Sequence, residues 1–257
     1  MVSNLFLDFS HIYSEEIDSE EKDFTRIDLS DISGTNMYCS AEACQEIRKR
    51  LKNCGPCGIH FLDNGNYHYA TIFFIEKIRE PFSLVLFDHH TDMQKPMIEG
   101  MISCGSWAGE ILRKNQYLKQ MILIGPEWKS MKEIDVNLRS KLICMSMEEI
   151  NSGEIRKKIP QINTAVPIYI SIDKDVLDPH YARTNWNQGD MSIDVLKELI
   201  LEVFRHQNVI GVDICGECSF PEPLPQFEED EEINKKTNLG IYKYLIRLFR
   251  FQKKNAV

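Results

Sequence analysis

The chain has 257 residues, of which 43% are hydrophobic and 27% are charged, as is typical of a globular protein with a buried core. Its formal net charge of −9 argues against nucleic acid as the main partner, because a phosphate backbone requires a basic surface. No apolar run approaches the roughly 18 residues that span a bilayer, which argues against a membrane protein. Eight cysteines are too sparse for a disulfide scaffold and no export signal is visible, so we expect a cytoplasmic protein with reduced thiols.

Short apolar runs rich in β-forming residues alternate with helical patterns along the chain. The predicted strands are Leu5–Phe9, Gly58–Leu62, Leu84–Phe87, Met121–Ile124, Leu142–Met145, Ile168–Ile172 and Val209–Ile214. The predicted helices are Ala41–Leu51, Ala70–Ile78, Trp107–Leu112, Ser192–Phe204 and Tyr242–Phe251. Several strands are apolar on both faces, which is typical of a parallel sheet covered by helices. We expect one domain over residues 1–257, a three-layer α/β sandwich with a central, mostly parallel sheet, and a long loop over Phe220–Lys236.

A first cluster of metal-binding side chains follows the predicted strand Leu84–Phe87. Because side chains alternate along an extended backbone, Asp88, His90 and Asp92 would point to one face. In sheets of this kind, ligands bind beyond the carboxyl ends of the strands. The position of this cluster therefore indicates a functional site.

A second cluster, Asp173 and Asp175, follows the predicted strand Ile168–Ile172 with the same spacing. Converging carboxylates repel each other and are costly to bury unpaired, unless divalent cations join them. An oxygen-rich set suits Mn²⁺ better than it suits a lone structural Zn²⁺. Bridging carboxylates can hold two ions about 3.5–4 Å apart, a pair that activates water for hydrolysis.

These motifs resemble the signatures of the ureohydrolase family, which includes arginase and agmatinase and shares the arginase–deacetylase fold. Asp88–Asp92 is similar to the family's Asp-Ala-His-x-Asp, and Ser171–Pro179 matches its Ser-x-Asp-x-Asp-x-x-Asp-Pro element. Asn64–Thr71 resembles the upstream Gly-Gly-Asp-His-Ser segment, and Gly211–Glu217 resembles the late Asp-x-x-Glu element with one extra residue.

The resemblance implies a hydrolase with two manganese ions per chain that acts on a guanidino group. It implies six metal ligands, namely His68, Asp88, His90, Asp92, Asp173 and Asp175. Asp88 and Asp173 would bridge the two ions, and Asp92 would also be catalytic. Glu217 would pair with the guanidinium group, for which a carboxylate is a bidentate partner.

The chain also departs from this family in the substrate region. Cys104 stands nearest to the histidine thought to shuttle protons in arginases, and it could transfer protons or serve only as a small packing residue. Gln94 replaces an asparagine, and Met101 lies near a serine position, so a guanidino group on another carrier, such as arginine within a peptide, fits at least as well as free arginine. Trp186 could stack on the guanidinium or be a partly buried surface aromatic.

Other functions stay open at this point. A deacetylase shares the fold and the Asp-x-His motif, but it uses one zinc ion and a separate His-His dyad. A metal-stabilised binding scaffold without activity is favoured by the missing shuttle histidine. The letters Asp88-His89-His90 also suggest a phosphoesterase, although residues 1–30 lack the Asp-x-Asp element it needs.

Cys54-Gly55-Pro56-Cys57 precedes a predicted strand and therefore indicates a turn rather than a redox motif. The oligomeric state stays open.

Overall fold

The structure, a computed structural model, describes residues 4–13, 24–98, 100–219 and 224–255. The strands of these ranges, labelled β1 to β10 in chain order, are Asn4–Asp8, Phe24–Asp28, Tyr38–Cys39, Ile59–Phe61, Phe82–Phe87, Ile102–Ser103, Leu118–Ile124, Leu142–Met145, Ile168–Asp173 and Val209–Cys215. The α-helices, labelled α1 to α7, are Ala41–Arg50, Thr71–Ile75, Trp107–Lys114, Trp128–Lys132, Met147–Ser152, Ile193–His206 and Leu224–Asn255. None of the described helices is both long and apolar enough to cross a membrane.

Eight of the described strands form one parallel sheet in the order β2-β1-β4-β10-β9-β5-β7-β8. At its centre, Phe87 of β5 pairs with Ile172 of β9, and Asp173 of β9 pairs with Cys215 of β10. Because all the pairings in this sheet are parallel, the carboxyl ends of β5 and β9 lie side by side at one edge. The remaining strands, β3 and β6, form a separate antiparallel pair.

Apolar cores cover both faces of the sheet. Along β5, Leu84 and Leu86 enter one core while Val85 and Phe87 enter the other, as strand alternation requires. Helices α1, α2 and α3 pack on the first face, and α6 and α7 pack on the second. This arrangement confirms the predicted three-layer α/β sandwich with a central parallel sheet.

Each of the seven predicted strands is present, with ends that shift by at most three residues. The sequence did not predict β2 at the edge of the sheet, because its residues are exposed or only half-buried and form no apolar run. Cys54 and Cys57 are free thiols in the connection between α1 and β4, which is neither helix nor strand at these residues.

The predicted long loop over Phe220–Lys236 is wrong wherever the structure describes it, because α7 already begins at Leu224. Residues 220–223 lie outside the described ranges. The early part of α7 buries polar side chains at helical spacing, namely Asp230, Asn234 and Asn238. These residues continue the buried stripe that Ile241 and Leu245 complete, so apolar periodicity alone could not reveal the helix.

Candidate metal centre

The predicted ligands lie at the carboxyl ends of three strands. His68 belongs to the 3₁₀ helix Gly65–Ala70 that follows β4, and the Asn64 side chain caps this helix by accepting a hydrogen bond from the Asn66 amide at 3.1 Å. β5 runs directly into Asp88, and β9 ends at Asp173. The structure therefore brings all three predicted segments together.

The first group of ligands surrounds His68, which is fully buried. Its Nδ1 atom lies 3.4 Å from Asp88 Oδ2, 3.2 Å from Asp92 Oδ2 and 3.2 Å from Asp173 Oδ2. Its other ring nitrogen, Nε2, lies 3.0 Å from the Ser171 hydroxyl oxygen. Such a contact fixes the orientation of a metal-binding imidazole.

The second group contains Asp88, His90 and Asp175. His90 Nδ1 lies 2.7 Å from Asp175 Oδ2 and 3.6 Å from Asp88 Oδ1. In each of two trios, His68–Asp88–Asp92 and Asp88–His90–Asp175, the candidate ligand atoms lie within 4.8 Å of one another. Asp88 belongs to both trios, which is the geometry that a bridging carboxylate requires. Bridging by Asp173 stays a prediction.

The acid–base properties of the cluster reflect its crowding. Burial and the neighbouring Asp88 carboxylate raise the pKa of Asp92 to about 7. Burial lowers the pKa of His90, but the carboxylates of Asp175 and Asp88 outweigh this effect and raise it to about 11. Both pKa shifts reflect the negative charge that the neighbouring buried carboxylates place at this site.

Two buried polar atoms at the centre of the cluster indicate whether metal ions would fit there. His68 Nδ1 and Asp88 Oδ2 are buried without a hydrogen-bond partner, although both face other ligands. Buried polar atoms are rarely left without partners, and a bound cation is one explanation. Two imidazoles and four carboxylates form a hard donor set that suits Mn²⁺. The residues present therefore fit two divalent ions.

Asp92 is held in place by contacts that the sequence did not reveal. Its backbone adopts a φ of +50°, an uncommon conformation for a residue other than glycine. The Asp92 carbonyl accepts hydrogen bonds from the amides of Ala108 and Gly109 at 3.0 and 3.2 Å. The indole Nε1 of Trp107 donates to Asp92 Oδ2 at 2.6 Å. The beginning of α3 therefore positions this candidate ligand.

A cavity of about 120 Å³ opens beside the ligands. Its lining residues other than the metal ligands are all neutral, namely Met37, Tyr38, Gly65, Gln94, Ser103, Cys104, Gly105 and Trp186. Three of them, Gln94, Cys104 and Trp186, were predicted from the sequence, and no sequence signal indicated Met37 or Tyr38. Burial and the nearby Asp92 carboxylate raise the pKa of the Cys104 thiol to about 12, so this thiol is protonated at neutral pH.

Glu217 lies outside the lining of this cavity. Its Oε1 atom is 2.7 Å from Nζ of the fully buried Lys174, and it accepts a hydrogen bond of 2.7 Å from Asn238 Nδ2. Lys174 Nζ also donates to Asn238 Oδ1 at 2.8 Å. The predicted pairing of Glu217 with a guanidinium group stays a prediction, and in the structure its carboxylate is engaged by Lys174 and α7.

Comparisons with known proteins agree with this geometry. A family model described as the arginase family matches residues 8–223. An uncharacterised protein of Thermotoga maritima is 32% identical over 239 residues, which cover 91% of this chain and 86% of the relative.

Solved structures give the same result for the fold. Helicobacter pylori arginase superposes with a TM-score of 0.65 and 13% identity, covering 96% of this chain and 99% of that one. A triple mutant of a T. brucei arginase-like protein, bound with Mn²⁺, gives a TM-score of 0.54 and 18% identity, covering 94% and 91% of the two chains. The family match over most of the sequence shows that this chain belongs to the arginase family.

Proposed function

We propose that this chain is a binuclear manganese hydrolase that cleaves a C–N bond of a guanidino group and releases urea. The observation that carries the proposal is the meeting of six potential ligands at three strand ends, with Asp88 common to two trios. Arginase-family homologues are hydrolases of guanidino and amidino C–N bonds, which supports this reaction type. The hard donor set and the Mn²⁺ bound to the T. brucei arginase-like protein support the choice of metal.

The ligands divide into two proposed sites. His68 would hold one ion together with Asp88, Asp92 and Asp173. The second ion would be held by His90, Asp88, Asp173 and Asp175. When bound, two such ions supply Lewis-acid chemistry and activation of water.

The side chains of the cavity would serve the rest of the reaction. Hydrolysis adds the oxygen of water to the guanidino carbon and breaks one C–N bond, and the leaving amine takes up a proton. Cys104, which lines the cavity and is protonated at neutral pH, is the proposed proton donor, and a proton released by the attacking water would restore its thiol. If it acts in this way, Cys104→Ser should lower kcat at least about a hundredfold while leaving the metal content unchanged.

The carrier of the guanidino group would lie largely outside the cavity. A volume of about 120 Å³ is well below the roughly 300–1,000 Å³ of pockets that enclose a whole drug-sized ligand. A larger cavity of about 680 Å³ borders the same His90 and Gln94 and carries charged side chains of both signs, including Lys95, Arg113 and Glu133. We therefore propose that the guanidino group is carried by a larger molecule, such as a peptide that contains arginine.

Metal analysis and a substrate panel test the proposal. The protein loaded with Mn²⁺ is incubated with free arginine, agmatine and arginine-containing peptides, and the release of urea is measured. We expect two manganese ions per chain and urea from at least one compound. Acetate released from acylated amines, without urea, would identify a deacetylase instead. A fully loaded protein that is inert on both panels would favour a binding scaffold.

A further inference from the structure

A network of asparagine side chains fixes the position of Trp186 at the cavity. The indole Nε1 of Trp186 donates a hydrogen bond to Asn66 Oδ1 at 3.0 Å, and Asn185 Nδ2 donates to the same oxygen at 2.9 Å. Asn66 Nδ2 in turn donates to Asn36 Oδ1 at 2.8 Å. Three segments that are distant in sequence therefore hold the polar edge of the indole.

Gly65 leaves the space that the indole occupies. A Cβ atom added to Gly65 would lie 2.5 Å from Trp186 Cδ1 and 3.1 Å from Trp186 Nε1, so any larger residue would displace the ring. The Gly65 amide also donates to Asn185 Oδ1 at 3.0 Å, which keeps this loop against the 3₁₀ helix. The pyrrole edge of the indole is thus held both by a hydrogen bond to Asn66 and by close packing against Gly65.

Trp186 stands between the metal ligands and solvent. Its ring centroid lies 5.9 Å from that of His90, at an interplanar angle of 72°. The residue lines the cavity, yet 36% of its surface is exposed. Trp186 therefore forms part of the mouth through which a substrate carrier would leave the cavity.

We infer that Trp186, fixed by Asn66 and Gly65, is a specificity-determining residue that limits the width of the substrate next to the bond that is cleaved. The inference rests on the proposed function. A wall that cannot move penalises a bulky group, because overpacking forces side chains out of their preferred conformations. The neutral lining beside it provides no partner for a charge at this point. The site accordingly accepts an unbranched, uncharged segment and rejects a branched or cyclic one.

A pair of alkylguanidines tests this limit in the protein loaded with Mn²⁺. The ratio of kcat/KM for cyclohexylguanidine to that for n-butylguanidine is measured by urea release. In Trp186→Ala we expect this ratio to rise at least about tenfold, because the wall is removed. In Gly65→Ala, where the added methyl group displaces the indole, we expect a rise of several-fold. Trp128→Ala, which removes an exposed tryptophan outside the cavity, is the matched control and should leave the ratio unchanged.

The metal content of each variant is measured alongside the kinetics, so that a loss of the ligand cluster is recognised. Trp186→Phe, which keeps an aromatic wall but loses the hydrogen bond to Asn66, should retain only part of the discrimination of the wild type. Both Trp186→Ala and Gly65→Ala could release urea with the same ratio of kcat/KM for cyclohexylguanidine to n-butylguanidine as the wild type. That result would overturn the inference and leave the proposed function standing. Two bound manganese ions without urea from any compound, in wild type and variants alike, would overturn the proposed function and the inference with it.

Discussion

The candidate metal ligands follow the carboxyl ends of regular strands, whereas the mouth of the cavity beside them is built from a 3₁₀ helix and the loop that carries Trp186. Asp88 and Asp173 extend from β5 and β9, which pair in continuous register from Ser83–Ile168 to Phe87–Ile172. The indole of Trp186 instead depends on side-chain hydrogen bonds from Asn66. Backbone pairing thus fixes the groups proposed for chemistry, while a few replaceable side chains fix the groups proposed for selectivity. Substitutions among the candidate metal ligands should therefore abolish activity. Substitutions at the cavity mouth should only change which substrates are cleaved.

Asp173→Ala is expected to have the largest effect. Asp173 Oδ2 lies 3.2 Å from His68 Nδ1, and its Oδ1 accepts a hydrogen bond of 3.0 Å from the Asp175 amide. Its loss should remove a ligand from both proposed sites and lower urea release below detection. Metal analysis after dialysis measures the effect. Asp194→Ala, at an exposed position in α6, serves as the control. Retention of two manganese ions by Asp173→Ala would contradict the proposed ligand set.

Lys174→Met tests the support beneath the ligand cluster. It would leave the buried Glu217 carboxylate without its ion-pair partner, which costs about 3–5 kcal/mol of the free energy of unfolding. Chemical denaturation measures this loss, with the exposed Lys129→Met as control. Adding Glu217→Gln to Lys174→Met should restore part of the stability, because the unpaired charge is removed. Unchanged stability in Lys174→Met would contradict a structural role for the pair.

Glu217→Gln alone distinguishes support from substrate binding. If Glu217 only anchors Lys174, this change should lower stability and leave KM for the guanidino substrate within about twofold. A rise in KM of more than tenfold at unchanged stability would instead support the predicted guanidinium pairing, since hydrogen bonds between charged groups are the stronger ones.

Trp107→Phe should weaken metal binding without removing a ligand. The change deletes the hydrogen bond to Asp92 Oδ2, and losing such an outer contact typically lowers metal affinity about 10–100-fold. Titration with Mn²⁺ well below the melting temperature measures the effect, and Trp128→Phe is the control. An unchanged affinity would show that the beginning of α3 does not position Asp92.

The pH dependence of metal binding should report the protons that the candidate ligands carry when no cation is bound. Asp92, with a pKa raised to about 7, and His90, with a pKa raised to about 11, carry protons that bound cations must displace. Affinity for Mn²⁺ should therefore rise as pH increases from 6 to 8, by about tenfold per unit for each proton released. Calorimetry in buffers of different ionisation enthalpy counts these protons. An affinity that does not depend on pH would contradict the protonated cluster.

The sequence predicted the parts of the site that are local in the chain. Asp88, His90 and Asp92 follow one apolar run, and Asp173 and Asp175 follow another, so the rule for strand ends was sufficient to expect them together. The expected extended backbone through these residues is wrong, because β5 ends at Phe87 and Asp175 lies in the 3₁₀ helix Lys174–Val176. His68 was identified only through the resemblance of Asn64–Thr71 to a family segment. Its position at a third strand end follows from the pairing of β4 with β10, which no short motif encodes.

The contacts that the sequence did not predict join distant segments. Trp107 was placed in a helix, but its hydrogen bond to Asp92 depends on the packing of α3 against the strand ends. The pairing of Lys174 with Glu217 and Asn238 required α7 to begin earlier than its apolar pattern indicated. The network around Asn66 and Trp186 joins a 3₁₀ helix to a distant loop. Such contacts depend on tertiary structure, which local patterns do not specify.

Anomalous scattering from crystals of the manganese-loaded protein tests the central claim most directly. We predict two manganese peaks about 3.5–4 Å apart, both in contact with Asp88, with His68 bound to one ion and His90 to the other. A single peak, or two peaks that do not share Asp88, would contradict the binuclear centre proposed for this chain.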